Sequence, residues 1–252
     1  MTIGHVVHGH GPVRAVAIHG WFYDWRVFEP MLPALDPEVF SLAFMDCRGY
    51  GASRMLRGPY DLDTVAADAL ELASDLGWEH FALIGHSMGG KAALLAAAAE
   101  PQRVTRILAV APVWAGKAPF DAETLKLFRG AVQESDLRAT ILNHGREGHV
   151  PGVWSRWMAQ KSVDTSTVEA FGGYLESWAL SDFSERIRHL SHEILAVAGA
   201  ADAGLPPEAV RATWIAQLRS ARLQVLGECG HYPMMERPLA LAAIFEQFLR
   251  RE

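Results

Sequence analysis

Short apolar runs recur along the chain and alternate with longer segments of helical periodicity. The runs are almost continuously hydrophobic, which is typical of strands buried on both faces of a parallel sheet. They are Ala15–Ile18, Val39–Met45, Phe81–Ile84, Ile107–Ala111, Ile194–Ala198 and Leu223–Leu226. The helical patterns are Trp25–Leu35, Leu62–Leu76, Gly89–Glu100, Pro207–Leu218 and Leu239–Arg251. This alternation predicts an α/β fold with right-handed βαβ units and helices on both faces of a mostly parallel sheet.

The alternation is interrupted once, between Ala111 and Ile194. The interval holds a Gly- and His-bearing stretch, Asn143–Gly152, and is rich in tryptophan. Its tryptophans are Trp114, Trp154, Trp157 and Trp178. We predict that residues 113–182 form a helical insertion over the carboxyl edge of the sheet, where open α/β sheets bind ligands. Residues 1–112 and 183–252 then form the core domain.

Composition narrows the class of protein without giving a function. Of the 252 residues, 50% are hydrophobic and 21% are charged, as in an ordinary folded domain. The formal net charge of −6 gives no basic footprint for nucleic acid or for an anionic membrane. The longest apolar tract, Ala92–Ala99, is far shorter than a membrane span, and the first residues show no secretion signal. Because there are only two cysteines, Cys47 and Cys229, we expect a reduced, cytoplasmic protein, although one disulfide stays possible.

Gly85-His86-Ser87-Met88-Gly89 matches the G-x-S-x-G pattern between a predicted strand and a predicted helix. In that context the serine sits on a tight turn with a strained backbone and projects its hydroxyl from the sheet edge. The glycines let the strand and the helix approach each other. The helix N-terminus places partial positive charge near developing negative charge. We therefore predict that Ser87 is a nucleophile.

A serine hydroxyl needs a base, and the base needs a carboxylate to orient it. His231 follows the last predicted strand, and Asp202 follows the strand before it, so both lie at the carboxyl edge. The chain order Ser87, Asp202, His231 is typical of α/β hydrolases. Asp182 and Asp121 compete weakly with Asp202 for the third position.

An oxyanion formed at the attacked carbonyl needs backbone N–H donors. The Met88 amide, directly after the nucleophile, is one candidate. The other comes from the loop after the first predicted parallel strand, His19-Gly20-Trp21-Phe22. There we favour the Trp21 amide over that of Phe22. The Trp21 side chain would then line the substrate pocket or simply pack in the core.

The sequence resembles the α/β-hydrolase superfamily, specifically its small capped esterase-like members. The resemblance covers nearly the whole chain. It rests on His19-Gly20, Asp46–Ser53, Gly85–Gly90, Gly199–Asp202 and Gly230-His231. It implies a sheet of about eight strands, a helical cap between strands six and seven, and an early antiparallel strand at Ile3–Val7. In the superfamily the segment like Asp46–Ser53 is mostly structural, which implies that Asp46 and Arg48 brace the loops beneath the site.

The resemblance leaves more than one activity open. A serine at position 87 argues against dehalogenase or epoxide hydrolase chemistry, because those relatives place aspartate there. The Ser87–Gly90 run resembles both small carboxylesterases and hydrolases that cleave a carbon–carbon bond in a vinylogous diketone, although the HGGGPG-like stretch of the latter is missing. We expect a serine hydrolase of carboxylic esters with hydrophobic groups. The alternatives are the carbon–carbon bond hydrolase and a non-catalytic receptor for small ligands.

The expected partner is a small hydrophobic ester, with no nucleic acid, membrane, metal or cofactor. Trp21, Trp114, Trp154 and Trp178 are candidates for the substrate pocket. His5, His8 and His10 could form a metal cluster, but a short surface hairpin explains them better. His144 and His149 indicate a loop or gate in the insertion more than a zinc site. The sequence does not predict the oligomeric state.

Overall fold

The structure, a computed structural model, describes residues 3–144 and 150–250. These residues contain a single sheet of seven strands, in the order β1-β3-β2-β4-β5-β6-β7. The strands are β1 His5–His8, β2 Val13–Ile18, β3 Phe40–Met45, β4 Phe81–His86, β5 Val104–Val110, β6 Glu193–Gly199 and β7 Ala221–Leu226. The mostly parallel α/β sheet predicted from the apolar runs is therefore confirmed.

All strand pairs are parallel except the edge pair, in which β1 runs antiparallel to β3. His5 pairs with Met45 and His8 with Leu42 in that pair. The expected early strand at Ile3–Val7 is thus present with slightly shifted ends. The expectation of about eight strands is approximately right. The described residues form seven, because β1 lies at the edge and no strand lies outside it.

The helices cover most of the remaining chain. The α-helices are α1 Leu62–Asp75, α2 Met88–Ala99, α3 Ala122–Gly130, α4 Ser135–His144, α5 Gly152–Thr165, α6 Val168–Leu180, α7 Ser184–Ile187, α8 Pro207–Val210, α9 Pro233–Glu236 and α10 Pro238–Leu249. Two 3-10 helices cover Trp25–Ala34 and Gly51–Ser53, and a π-helical turn covers Arg211–Ile215. Within the described residues, no helix is both long enough and apolar enough to cross a bilayer.

Two predicted helices differ in type from the pattern. The segment from Trp25 forms a 3-10 helix, because Pro30 and Pro33 lie inside it and proline cannot donate an α-helical hydrogen bond. The predicted helix Pro207–Leu218 is divided into α8 and the π-helical turn. That wider turn carries the fully buried Trp214.

In the described residues, five helices, α3 to α7, lie between β5 and β6, in the stretch where the strand–helix alternation breaks. The first four, α3 to α6, fall within residues 113–182. The short helix α7, which follows them, packs on α2 just before β6 begins. The stretch is therefore helical as far as it is described. Its assignment as a separate domain with boundaries at residues 113 and 182 stays a prediction.

The turn between β4 and α2 brings two backbones unusually close. A Cβ atom added to Gly85 would lie 2.5 Å from the amide nitrogen of Gly90 and would also clash with the Gly89 carbonyl. A Cβ added to Gly89 would meet the carbonyl groups of Ile18 and His19 at the end of β2. Only hydrogen fits at these positions, so the strand can turn directly into the helix.

We expect Gly85→Ala to lower the free energy of unfolding by about 1–3 kcal/mol or more, because backbone atoms must move to admit the methyl group. Gly227→Ala is the matched control. It adds the same methyl group where no atom lies within 4 Å, and it should change stability by no more than about 0.5 kcal/mol. Urea denaturation of both variants measures the difference. Equal stabilities would contradict the close approach.

Candidate active site

Ser87 lies between the end of β4 at His86 and the start of α2 at Met88. Its φ of 53° and ψ of −114° place a non-glycine residue in a sparsely populated region that costs about 1–3 kcal/mol. The Ser87 amide donates to the Val110 carbonyl at 2.9 Å, and its carbonyl accepts from Gly90 at 3.0 Å. The backbone is therefore fixed on both sides, and Ser87 lines a large cavity.

His231 and Asp202 come from neighbouring loops at the carboxyl ends of β7 and β6. His231 Nδ1 lies 2.7 Å from Asp202 Oδ2. The other carboxylate oxygen of Asp202 accepts from the amides of Gly204 and Leu205, at 3.1 and 2.9 Å. Because both oxygens of this buried carboxylate accept hydrogen bonds, it favours the imidazole tautomer with the proton on Nδ1. That tautomer leaves Nε2 of His231 as a proton acceptor.

The structure brings Ser87, His231 and Asp202 to the wall of one cavity. Among these three described residues, His231 donates a hydrogen bond to Asp202, whereas the Ser87 hydroxyl makes none to the imidazole. In enzymes without substrate this second bond is often long and tightens only in the substrate complex. Neither competitor for the carboxylate role contacts His231. Asp121 caps α3 through the Thr124 amide, and Asp182 accepts from Ser184.

The electrostatic surroundings of His231 favour its protonated form. Burial alone lowers the pKa of this imidazole. The charge of Asp202, the hydrogen bond to it and the charge of Glu236 outweigh that effect, so the pKa of His231 is raised above the ordinary 6.5. A base with such a pKa takes up a proton readily from a nucleophile close to neutral pH.

Glu236, which sequence reasoning missed, holds the loop that carries the histidine. Its carboxylate accepts from the Gly230 amide at 2.7 Å and from the Tyr232 amide at 2.9 Å, on either side of His231. Two charge-assisted bonds from one carboxylate fix the loop backbone. The one available signal was an acid in the first turn of the helix that follows the histidine, where acids are common for capping alone.

His86 is a second missed residue, although it lies inside the predicted motif. Its Nε2 lies 2.9 Å from the His231 carbonyl oxygen, so the ring donates there. Burial and then the neighbouring His231 lower the pKa of His86 well below 6.5. The lowered pKa favours the neutral form of the His86 ring. Through this hydrogen bond, His86 ties the loop that carries His231 to the turn that carries Ser87.

The loop after β2 is held in place by side chains around the peptide between Gly20 and Trp21. His19 Nε2 accepts from the Cys47 amide at 3.0 Å, so its Nδ1 donates to the Gly20 carbonyl at 2.7 Å. The Tyr50 hydroxyl donates to the Trp21 carbonyl at 2.7 Å. Among the described residues, no acceptor bonds the amide of Trp21 or that of Phe22. Both amides remain available as oxyanion donors.

Gly20 packs directly against the turn that carries Ser87. A Cβ added to Gly20 would lie 3.2 Å from the Ser87 Cβ and 2.6 Å from His86 Nδ1. The peptide that carries the Trp21 amide therefore lies beside Ser87. Met88 occupies the first position of α2, where the amide has no partner within the helix. The assignment of the oxyanion donors to Met88 and Trp21 stays a prediction.

Asp46 and Arg48 make structural contacts beneath the site. Asp46 accepts from the amides of Trp25 and Ala52 at 2.9 and 2.8 Å, and burial raises its pKa. Arg48 donates two bonds of 2.8 Å to Asp68 on α1. These contacts connect the segment Asp46–Arg48 with both 3-10 helices and with α1, as bracing residues would.

The cavity beside Ser87 has a volume of about 730 Å³ and walls that are mostly apolar and aromatic. Three of the four predicted pocket tryptophans, Trp21, Trp114 and Trp178, line it. Trp154 does not; it packs edge-on against Tyr232, which does line the cavity, at 5.2 Å between ring centroids. Trp157 lies farther out on α5, where it is 40% exposed. Trp154 is therefore separated from this cavity by the Tyr232 side chain.

The histidine clusters have separate contacts. His5 and His8 bond the carbonyl groups of Ile3 and Leu35, and His10 pairs with Glu38 at the surface. His144 lines the cavity at the end of α4, and His149 lies outside the described residues. Within the part of the chain that the structure describes, no group of three or more His, Cys, Asp or Glu side chains could hold a metal ion.

Comparison with known families decides the class of protein. The family model for the alpha/beta hydrolase fold matches residues 16–238. The chain belongs to the alpha/beta hydrolase family. This agrees with the resemblance that the sequence motifs indicated.

Individual relatives of this alpha/beta hydrolase carry different activities. It is 27% identical to a 2-hydroxy-6-oxononadienedioate/2-hydroxy-6-oxononatrienedioate hydrolase of Pseudomonas putida, over 97% of this chain and 86% of the relative. It is 28% identical to a pimeloyl-[acyl-carrier protein] methyl ester esterase of Nitrosomonas europaea, over 94% and 96%. A bromoperoxidase structure from Bacillus anthracis shares the fold, with a TM-score of 0.88 and 19% identity over 98% of this chain and 95% of that one.

The Asp202 carboxylate should set the protonation of the hydrolase's candidate base. In Asp202→Asn the negative charge is lost while burial remains, so the pKa of His231 should fall from its raised value. An NMR titration of the imidazole, assigned with a His231→Gln variant, measures the pKa. Asp121→Asn, an exposed carboxylate at the start of α3, serves as control and should leave the His231 titration unchanged. An unaltered pKa in Asp202→Asn would separate Asp202 from the base.

Proposed function

We propose that this alpha/beta hydrolase is a serine hydrolase that cleaves carboxylic esters with hydrophobic groups. The Ser87 hydroxyl attacks the ester carbonyl while Nε2 of His231 takes its proton, and Asp202 stabilises the imidazolium. The amides of Met88 and Trp21 bind the oxyanion. His231 then returns the proton to the departing alkoxide, which leaves as an alcohol. Water, deprotonated by the same imidazole, hydrolyses the acyl-enzyme and releases the carboxylic acid.

The observation that carries this proposal is the strained Ser87 at an apolar cavity whose wall also holds the bonded pair of His231 and Asp202. Fixed N–H donors and a base at one edge suit acyl transfer. The intact set of three residues argues against a receptor that has lost its chemistry. The relative from Nitrosomonas europaea, which is named as a methyl ester esterase, supports the same reading.

The carbon–carbon bond hydrolase is the second candidate, because the relative from Pseudomonas putida is named for the hydrolysis of oxo-diene dioates. A dicarboxylate substrate requires cationic or hydrogen-bonding groups in the cavity. Among the described lining residues, Lys117 is the one lysine or arginine, and it is exposed. Apolar walls of this kind suit a neutral ester better than a dianion.

We propose further that helices α3 to α6 act as a cap that selects the substrate. Phe120, Leu127, Phe128, Ile141 and Trp178 all belong to this stretch and line the cavity. Phe120 and Phe128 pack at 4.5 Å between ring centroids, and each contacts Trp178. The core sheet thus supplies the reacting groups, whereas the stretch between β5 and β6 supplies much of the apolar wall.

Hydrolysis of aryl esters of graded acyl length tests the function, with a vinylogous diketone from ring cleavage assayed in parallel. We expect the wild type to cleave the esters and a fluorophosphonate to label it once, at Ser87. Ser87→Ala should lose both properties. The kcat/KM of the wild type should fall on the acidic side as His231 becomes protonated, with an apparent pKa above 6.5, because only the neutral imidazole accepts a proton. Cleavage of the diketone alone would favour the second candidate, and labelling at a different serine would contradict the site.

Shortening an aromatic side chain of the wall should alter selectivity and leave the chemistry intact. Phe120→Ala enlarges the apolar cavity, so kcat/KM for longer acyl chains should rise relative to short ones, at roughly 1–3 kcal/mol per methylene accommodated. The rate of Ser87 labelling by a small phosphonate should not change. Trp157→Ala removes an exposed aromatic residue that does not line the cavity and should leave the ratio unaltered. Equal effects of the two substitutions would place the acyl group elsewhere.

A further inference from the structure

Lys91 is a fully buried lysine on α2, one helical turn after Ser87. Its ammonium group donates three hydrogen bonds, all to backbone carbonyl groups. The acceptors are Gly116 at 2.9 Å, Trp178 at 2.9 Å and Ser181 at 2.7 Å. An ammonium has three donors, so each of them is used.

The three acceptors belong to the two ends of the stretch between β5 and β6. Gly116 precedes α3, whereas Trp178 and Ser181 lie at the end of α6. Backbone hydrogen bonds also join these ends, from the Ala118 amide to Ala179 at 2.7 Å and from the Phe183 amide to Ala115 at 2.8 Å. We call residues 115–118 and 178–183 the neck. Lys91 is thus the side chain of the nucleophile helix that binds both sides of the neck.

Burying this amine is costly, because the charged group leaves water. Burial lowers the pKa of Lys91 to about 8, although the nearby Asp182 charge opposes the change. Within the described residues, no carboxylate oxygen lies within ion-pair distance of the amine, and the ring of Phe183 lies 5.0 Å away. The carbonyl groups are therefore its principal partners. If the amine is removed, those buried acceptors lose their donor.

Two of the acceptor residues, Gly116 and Trp178, also line the cavity beside Ser87. The same peptide groups that bind Lys91 therefore carry part of the substrate wall. We propose that Lys91 is a positioning residue that fastens the neck to α2 and so fixes this wall relative to the nucleophile. Its consequence for substrate choice rests on the proposed ester hydrolysis, whereas its effect on the neck does not.

Hydrogen exchange of the neck amides measures how firmly Lys91 holds the neck, and it requires no activity assay. Lys91→Met keeps a side chain of similar length but removes the donors, and Lys126→Met removes a lysine charge from the exposed face of α3. We expect the Ala118 and Phe183 amides to exchange at least about tenfold faster in Lys91→Met, with β4 amides unchanged, because the opening is local. Lys126→Met should exchange like the wild type, and Lys91→Arg, which restores donors, should recover part of the protection.

Hydrogen exchange of the wild type alone is a second test, which does not depend on the folding of a variant. Its Ala118 and Phe183 amides should be protected at least as strongly as amides of α10, since the neck is bonded to a buried helix. Rapid exchange of both amides in the wild type would overturn the proposal, as would wild-type protection of the neck in Lys91→Met. Acceleration of all amides alike would also overturn it, because Lys91 would then support the whole fold.

Ester kinetics then test the substrate wall. Lys91→Met should raise KM for long acyl chains by about threefold or more while kcat and the phosphonate labelling of Ser87 stay close to wild type, which marks a loss of binding and not of chemistry. A parallel loss of kcat for all esters would contradict the positioning role. If the wild type cleaves no ester, the proposed function fails, and the exchange measurements still decide the role of Lys91.

Discussion

The close contact between the end of β4 and the start of α2 determines where every other part of the site lies. Gly85 and Gly89 let the two backbones meet, and the turn between them forces Ser87 into a strained conformation. The strain persists because strand pairing on one side and the helix on the other both fix the turn. From this point Ser87 lines the cavity at the carboxyl edge of the sheet. Asp202 and His231 reach the same edge because β6 and β7 run parallel to β4.

Around that turn, the site depends on hydrogen bonds between side chains and backbone. Glu236 binds the backbone amides on either side of His231, and His86 binds the His231 carbonyl group. In the same way, His19 and Tyr50 hold the loop that follows β2. Such bonds orient peptide groups without adding a charge that moves during catalysis. At the centre of this arrangement, the pKa of the His231 imidazole is raised above the ordinary 6.5 by Asp202 and Glu236. In the proposed reaction, such a preorganised site would lower the barrier because its dipoles need not reorient.

The helical stretch between β5 and β6 is held by two buried cations whose hydrogen bonds run mainly to backbone carbonyl groups. Lys91 binds the neck from the core, and Arg138 on α4 donates to the carbonyl groups of Ala131 and Val132 and to the Ser162 hydroxyl. Arg138 also lies 3.7 Å from the centroid of the Phe171 ring, which in turn stacks on Trp21 at 4.0 Å. A continuous line of contacts thus connects the helices over the cavity with the loop that carries the proposed oxyanion donor.

The sequence by itself determined the sheet and the elbow. Continuous apolar runs require strands buried on both faces, and the glycines around Ser87 require a turn too tight for any other residue. It could not determine contacts between loops that are far apart in the chain. Glu236, His86 and Lys91 gave no periodic or spaced signal, because their partners are backbone groups, which every residue possesses. The placement of Trp154 behind Tyr232 likewise depends on how the helices between β5 and β6 pack, and only the tertiary structure decides which face of each helix meets the cavity.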